Sequence, residues 1–326
     1  MAFSIVESEE QGIPLIQLKS DDEVIMEILP EHGAILNVLK LKVEDQWVDS
    51  IFGYSDYAEV PQFSGSRSAI LFPFPNRLKE GKYRYEGREY QFPTEEKHHG
   101  NAIHGLVRKL PFKVLEKEST ASGGFVKVAN YSSGDLPYYP FAFGLYITFT
   151  YSDNELDVLF EVENRGNTHM PVGLGWHPYF TLGAGSVNDL EMKLPFVSQV
   201  ELDEINLPTG KVRDFFDYEN FKQVEDQAFD DCYKLIMQDK SAIFSPSEGY
   251  GLSLEPSKEF LFLQVYTPGD RGSIAIEPMN CNVNAFNNQE GLMDLEKGST
   301  YKASFKIRIM DQAEYEDIKA SFDEDD

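Results

Sequence analysis

The chain is poor in cysteine and in positive charge. Its 326 residues include two cysteines, Cys232 and Cys281, which are too few for a disulfide framework and lack the paired spacing of a zinc site. Lys plus Arg number 29 against 55 Asp plus Glu, so the formal net charge is -26. A surface this acidic repels phosphate backbones and anionic lipid headgroups, which argues against nucleic-acid and membrane partners.

Targeting and cofactor-binding signatures are also missing. The N-terminal segment has neither the basic nor the apolar region of a secretory signal, and no stretch approaches the roughly 18 apolar residues that span a membrane. The sequence has no G-x-G-x-x-G after a strand, no Walker loop and no G-x-S-x-G elbow. We therefore expect a cytoplasmic protein whose chemistry needs no cofactor and no metal.

Apolar residues alternate with a period of two in many segments, which is typical of strands with one buried face. Two such runs flank the turn Ser152-Asp153-Asn154, and their apolar positions are Phe143, Leu145, Ile147 and Phe149, then Leu156, Val158, Phe160 and Val162. This pattern predicts a β-hairpin. A second hairpin is predicted around Glu86-Gly87, and a last strand over residues 301–309.

Long helical periodicity is absent between the predicted strands, which argues against a parallel sheet with crossover helices. The sequence therefore predicts an all-β protein, built as a large antiparallel β-sandwich or a barrel. Its 41% hydrophobic residues are sufficient for a substantial core. No composition shift marks a linker, so we expect one domain over residues 1–310. An acidic tail over residues 311–326 is expected to begin as a short helix and to end solvated and mobile.

Three short clusters contain groups that transfer protons near neutral pH. They are Ile103-His104-Gly105, Gly175-Trp176-His177-Pro178-Tyr179-Phe180 and Ile276-Glu277-Pro278-Met279. Two imidazoles and one carboxylate, brought together by the fold, are sufficient to give a proton to one oxygen and take one from another. The clusters predict proton-transfer chemistry.

The surroundings of these groups differ. The aromatic neighbours of His177, Trp176 and Tyr179, suit the face of a sugar ring. Glu277 follows an apolar strand start, where desolvation raises the pKa of a carboxyl toward the range of a useful base. His104 leaves an apolar strand end, where a core histidine and a catalytic one fit equally well.

Other polar residues are candidates for substrate binding. Arg77 ends an aromatic and proline-rich stretch, where its planar fork suits two oxygens or a surface ion pair. Asp230 and Asp231 either accept hydrogen bonds from hydroxyls or cap a turn. Gln264 lies on a predicted strand and faces either inward or outward. The remaining histidines are predicted to be surface or structural residues, namely His32, His98, His99 and His169.

In their order and chemistry, these segments resemble the aldose 1-epimerase, or galactose mutarotase, family. The resemblance covers most of the chain and lies in Pro75-Asn76-Arg77-Leu78 with Gly81-Lys82-Tyr83, Ala102-Ile103-His104-Gly105, the block at 175–180, Phe229-Asp230-Asp231, Gln264-Val265-Tyr266-Thr267, Ile276-Glu277-Pro278 and Leu295-Glu296-Lys297-Gly298-Ser299. It implies a galactose mutarotase-like supersandwich of antiparallel sheets with an open sugar-binding cleft. It also implies interconversion of the α and β anomers of a free aldohexose without a cofactor.

The resemblance assigns roles to the candidate residues. Glu277 corresponds to the general base at the anomeric hydroxyl, His177 to the general acid at the ring oxygen, and His104 to a hydrogen-bonding group near that oxygen. The expected substrate-binding residues are Arg77, Asp230 with Asp231 as its alternate, Asn76, Gln264 and Trp176. The expected partner is a small sugar, and the expected assembly is a monomer or a homodimer.

Two other functions remain open. A mutarotase for hexose phosphates needs a cationic cluster at the cleft, for which the nearby candidates are Arg67, Arg77, Lys79 and Lys82. A non-catalytic sugar-binding or sensor protein keeps the sandwich and the aromatic wall, although pure binding does not require an acid and a base. The His-Pro-Tyr-Phe block also departs from the form in well-known galactose mutarotases, which leaves the identity of the sugar open.

Overall fold

The computed structural model describes residues 2–183 and 185–323, and most of their regular structure is β-strand. The first strands are β1 (Phe3–Glu10), β2 (Ile13–Ser20), β3 (Glu23–Leu29), β4 (Ile35–Val43), β5 (Gln46–Asp49), β6 (Ala69–Leu71), β7 (Arg77–Leu78), β8 (Lys82–Tyr85), β9 (Arg88–Gln91), β10 (Ala102–Ile103), β11 (Lys113–Ser119), β12 (Gly123–Ser133), β13 (Ala142–Ser152) and β14 (Glu155–Asn164). The later strands are β15 (Met170–Val172), β16 (Gly175–His177), β17 (Tyr179–Phe180), β18 (Glu191–Lys193), β19 (Val197–Leu202), β20 (Pro208–Phe215), β21 (Lys222–Gln223), β22 (Asp230–Leu235), β23 (Ser241–Ser245), β24 (Tyr250–Pro256), β25 (Phe262–Tyr266), β26 (Ile274–Met279), β27 (Met293–Leu295) and β28 (Thr300–Asp311). The α-helices are α1 (Ala285–Asn288) and α2 (Gln312–Asp323).

The long ladders are antiparallel and form three main sheets. A five-stranded sheet has the order β1-β2-β3-β4-β5, and a nine-stranded sheet has the order β11-β12-β13-β14-β28-β24-β23-β18-β21. An eight-stranded sheet has the order β20-β19-β22-β25-β26-β16-β6, with β17 paired to β26. The prediction of an all-β, antiparallel fold is confirmed.

Both predicted hairpins form. β13 pairs with β14 through the turn Asp153-Asn154, whose φ angles of 51° and 66° suit a two-residue hairpin loop. β8 pairs with β9 around Glu86-Gly87. The predicted last strand lies within β28, where the alternating residues from Tyr301 to Ile307 are buried.

The nine-stranded and eight-stranded sheets pack face to face. The Trp176 ring of β16 lies 6.3 Å from the Phe160 ring of β14 and 5.8 Å from the Phe305 ring of β28, measured between centroids. All three side chains are fully buried. Burial of a phenylalanine side chain stabilises a fold by about 1.5–3 kcal/mol, so such contacts hold the two sheets together as a sandwich.

Helix α2 is the short helix predicted after residue 310. Its Tyr315 ring stacks on Phe244 of β23 with the centroids 3.9 Å apart. Its Glu314 accepts two hydrogen bonds from Arg308 of β28, both at 2.7 Å. The helix is therefore fixed to the nine-stranded sheet. The predicted mobile acidic end falls on residues 324–326, which lie outside the described residues.

A close backbone contact fixes the turn that carries His104. β10 pairs with β7, after which His104 and Gly105 both take positive φ angles, 59° and 66°. A Cβ atom added to Gly105 would lie 2.1 Å from the Phe72 carbonyl oxygen. Because no side chain fits there, glycine is required where the turn crosses the end of β6.

We expect Gly105→Ala to destabilise the fold more than Gly100→Ala. Both glycines have positive φ, 66° and 73°, so alanine meets the left-handed backbone penalty of about 1–2 kcal/mol at either position. An added Cβ at Gly100 meets nothing within 4 Å, whereas at Gly105 it meets the Phe72 backbone. Urea unfolding measures both variants, and equal free energies of unfolding would contradict the steric requirement.

Candidate functional site

The three predicted proton carriers line one cavity of about 330 Å³, a volume within the range of small-ligand sites. Glu277 comes from β26, His177 from β16, and His104 from the turn after β10. Four other residues predicted from the sequence also line it, namely Asn76, Arg77, Asp230 and Gln264. The fold thus brings together residues that are far apart in the chain.

The Glu277 carboxyl and the His177 imidazole lie side by side in the wall of the cavity. Glu277 Oε1 lies 3.4 Å from His177 Nε2, and the two side chains are 2% and 8% exposed. Glu277 Oε2 and His177 Nδ1 are buried and have no hydrogen-bond partner among the described residues. Because unpartnered buried polar atoms cost free energy, a polar ligand that satisfies them gains affinity from this site.

Burial controls the protonation of this pair. Desolvation raises the pKa of the Glu277 carboxyl well above its usual range; the Asp230 carboxylate adds to the rise, and the Arg77 charge opposes it. Desolvation lowers the pKa of His177 to about 3. Burial therefore favours a protonated Glu277 beside a neutral imidazole over a carboxylate beside an imidazolium. Moving that proton to His177 gives a carboxylate and an imidazolium without changing the net charge of the pair.

His104 lies against this pair. Its ring centroid is 5.3 Å from that of His177, with the planes at 72°. Burial lowers the pKa of His104 well below its usual value, and the His177 and Arg108 charges act in the same direction. Its backbone nitrogen donates to the Asn76 carbonyl at 2.8 Å, and Asn76 also has a left-handed φ, 54°. Non-glycine residues keep this conformation only where their surroundings hold it, so the two turns support each other.

Four polar side chains are joined in a ring of contacts. Arg77 Nη1 donates to Asn76 Oδ1 at 3.1 Å, and Asn76 Nδ2 donates to Gln264 Oε1 at 3.0 Å. Gln264 Nε2 donates to Asp230 Oδ1 at 2.9 Å, and Arg77 Nη2 closes the ring 4.0 Å from Asp230 Oδ2. Gln264 is 3% exposed, so it takes the inward of its two possible orientations. The ring fixes how Arg77 and Asp230 face the cavity.

Neighbouring aspartates on β22 face opposite sides of the sheet. Asp230 lines the cavity, with its side chain 46% exposed. Asp231 Oδ1 instead accepts a hydrogen bond from Gln199 Nε2 of β19 at 2.5 Å. The alternation of side chains along a strand explains the difference. The residue at the cavity is Asp230 and not its alternate.

The prediction of Trp176 as a sugar-binding residue was wrong. Trp176 is fully buried between the two sheets, where its Nε1 donates to the Ser68 carbonyl at 3.1 Å. It precedes His177 on one strand, so the two side chains point to opposite faces. The aromatic residues at the cavity are Phe63, Tyr179 and Tyr266. The Tyr179 ring stacks on His177 at 4.8 Å and 15°, and its hydroxyl donates to the Gly65 carbonyl at 2.8 Å.

One wall of the cavity was missed by sequence reasoning. The 3-10 helices Glu96–His98 and Val107–Lys109 contribute the basic residues Lys97, His98, Arg108 and Lys109. His98 was predicted to be a solvated loop residue, and it is instead half-buried at the cavity. Basic pairs on both sides of His104 in the sequence were the signal that could have identified this wall.

Most of the cations that the sequence suggested as phosphate-binding residues lie outside the cavity. Arg67 packs its guanidinium over the rings of Phe52 and Tyr54, at 4.7 Å and 5.0 Å from their centroids. Lys79 and Lys82 are exposed and do not line the cavity. Of the four cations in that predicted cluster, Arg77 alone lines the cavity.

Within residues 2–183 and 185–323, no group of three or more His, Cys, Asp or Glu side chains is arranged to hold a metal ion. No helix in this part of the chain is long and apolar enough to cross a membrane.

Known proteins share both sequence and fold with this chain. A sequence model of aldose 1-epimerase matches residues 14–308. The chain is 33% identical to the uncharacterized protein YihR of Escherichia coli (strain K12) over 248 residues, which cover 73% of this chain and 77% of YihR. It is 26% identical to the galactose mutarotase of Rattus norvegicus over 214 residues, which cover 64% of this chain and 60% of the rat protein.

Solved structures of other proteins have a similar fold. A galactose mutarotase-like protein from Clostridium acetobutylicum superposes with a TM-score of 0.85 at 20% identity, covering 95% of this chain and 99% of that one. The galactose 1-epimerase of Lactobacillus acidophilus gives a TM-score of 0.78 at 15% identity, covering 95% and 98%. The sandwich is therefore the galactose mutarotase-like fold that the sequence resemblance implied.

We expect Glu277→Gln to stabilise the protein, and to do so more at pH 8 than at pH 5. With its raised pKa, the folded carboxyl keeps its proton at pH values where the unfolded one has lost it, so the native state loses stability as the pH rises above the ordinary value of 4.5. Glutamine does not titrate, so the variant lacks this loss of stability at high pH. Urea unfolding at both pH values measures the difference. The control Glu204→Gln makes the same substitution at an exposed position. A stabilisation by Glu277→Gln that shrinks from pH 5 to pH 8 would contradict the raised pKa.

Proposed function

The chain belongs to the aldose 1-epimerase family, and we propose that it is a mutarotase that interconverts the α and β anomers of an aldohexose with a free anomeric hydroxyl. One observation carries the proposal: a buried carboxyl and a buried imidazole, 3.4 Å apart, share a cavity of small-ligand size. An acid and a base within reach of one ligand are what this isomerisation requires.

Ring opening uses the form of the pair with its proton on His177. Glu277 accepts the proton of the O1 hydroxyl, and the electrons of that O–H bond form the carbonyl. The C1–O5 bond breaks, and His177 gives its proton to O5. Afterwards the proton lies on Glu277 beside a neutral imidazole, which is the form that burial favours.

Ring closure reverses the two roles. Rotation about the C1–C2 bond presents the other face of the aldehyde to O5. Glu277 then returns its proton to the aldehyde oxygen while His177 removes the O5 proton as the C1–O5 bond forms again. The protons balance over the cycle, and each group contributes about 10²–10⁴-fold to the rate, as positioned acids and bases do.

The other cavity residues bind and orient the sugar. Arg77 donates to hydroxyl oxygens of the sugar and Asp230 accepts from its hydroxyl groups, while Asn76 and Gln264 hold these two side chains in place. His104 hydrogen-bonds near the ring oxygen through Nδ1, which has no partner within the described chain.

We expect the protein to accelerate the mutarotation of freshly dissolved α-anomers of glucose, galactose or glucose 6-phosphate, followed by polarimetry. Glu277→Gln and His177→Asn should each lower the enzymatic rate by about 10²-fold or more, because each removes one of the two proton carriers. The control Asp231→Asn should keep the full rate, since Asp231 faces Gln199 and not the cavity.

Two results would contradict the proposal. A near-normal rate in Glu277→Gln would remove Glu277 as the base. Saturable sugar binding by the unmodified protein, without any acceleration, would favour a non-catalytic sugar-binding protein instead.

A further inference from the structure

We propose that the sugar carries an anionic group on C6, and that Lys97, Arg108 and Lys109 bind this group. These three residues are called the cationic wall below. The proposal rests on the proposed function, because the roles of Glu277 and His177 define how the sugar ring lies in the cavity.

The cationic wall belongs to the same cavity as the acid–base pair. Its residues come from two 3-10 helices, Glu96–His98 and Val107–Lys109, which the chain places on either side of the His104 turn. The chain has 29 Lys and Arg residues against 55 Asp and Glu residues, so its net charge is negative. Three cations in one wall are therefore unusual for this protein. A neutral sugar gains little from them, whereas an anion gains charge-assisted hydrogen bonds.

One carboxylate, Glu95, partly balances the cationic wall. Its Oε1 accepts a hydrogen bond from Arg108 Nη2 at 2.9 Å, and its Oε2 lies 3.1 Å from Lys97 Nζ. Arg108 Nη1 also donates to Ser66 Oγ at 3.4 Å. Three cations against this one carboxylate leave a net excess of positive charge at the wall.

Lys109 has no carboxylate partner in the described part of the chain. Its ammonium lies 5.5 Å from the centroid of the Phe63 ring, which also lines the cavity. Partial burial and the Arg108 charge lower the pKa of Lys109. An anion placed between these cations would relieve that repulsion.

The side on which the wall lies identifies the position on the sugar. Arg108 Nη1 donates to Ser66 Oγ, and the carbonyl of the neighbouring Gly65 accepts a hydrogen bond from Tyr179, whose ring stacks on His177. These contacts place the wall on the His177 side of the pair, which in the proposed ring opening is the side of the ring oxygen. In a pyranose the ring oxygen joins C1 to C5, and C5 carries C6. A group that extends past the ring oxygen, away from C1, is therefore the C6 group.

The test compares kcat/KM for the α-anomers of glucose 6-phosphate, glucuronate and glucose, which differ at C6. For the unmodified protein we expect at least one anionic sugar to exceed glucose by about tenfold or more, the size of one charge-assisted contact. This preference should fall as salt is added, because the wall is partly open to solvent. A larger value for glucose 6-phosphate would identify a phosphate as the group, and a larger value for glucuronate would identify a carboxylate.

Substitution of the wall makes the test specific. The double variant Lys97→Met and Lys109→Met should reduce the preference for the anionic sugar about tenfold or more, mainly through KM, because the group lies away from the reacting atoms. Both lysines are exposed enough for the fold to tolerate methionine. The matched control is Lys82→Met, whose ammonium pairs with Glu80 outside the cavity, and it should leave the preference unchanged.

Failure of this proposal differs from failure of the proposed function. Equal kcat/KM values for the three sugars, or a preference that survives in the double variant, would overturn the anionic site while the mutarotase remains. No acceleration of any sugar by the unmodified protein would instead refute the mutarotase, and the anionic site with it.

Discussion

The burial of an ionisable carboxyl beside an imidazole is the constraint on which the cavity depends. Glu277 and His177 are almost fully buried, 3.4 Å apart, and neither has a full set of hydrogen bonds within the described chain. Burial raises the pKa of Glu277 and lowers that of His177, so it favours a protonated carboxyl beside a neutral imidazole. Such a pair destabilises the fold, and in the proposed reaction it transfers a proton in either direction.

The sandwich is what supports this destabilising pair. Glu277 and His177 lie on strands of the eight-stranded sheet, whose other face packs against the nine-stranded sheet through Trp176, Phe160 and Phe305. Because side chains alternate along a strand, one face supplies the apolar core while the other supplies the polar cavity. The ring of contacts around Gln264 then fixes the polar groups on that cavity face.

Local alternation predicts the antiparallel strands, because each strand sets its own period of two, whereas the choice of a sandwich over a barrel came from the family resemblance. The same rule, applied strictly from Gly175 to Tyr179, separates Trp176 from His177 and would have corrected the prediction of the aromatic wall. The roles of Glu277 and His177 came from the family resemblance. The basic pairs on both sides of His104 are visible in the sequence, but their placement in one wall depends on contacts between distant segments, such as the Gly33 backbone against the Arg108 carbonyl. Local sequence does not encode such contacts.

The protonation of His177 tests most directly whether burial controls the Glu277–His177 pair. Nitrogen-15 chemical shifts of protein labelled at histidine report it, and the spectrum of His177→Asn assigns the signal. If burial controls the pair, the His177 imidazole stays neutral from pH 7 down to pH 5 in the sugar-free protein. A titration of this ring near its ordinary pKa of 6.5 would contradict the account.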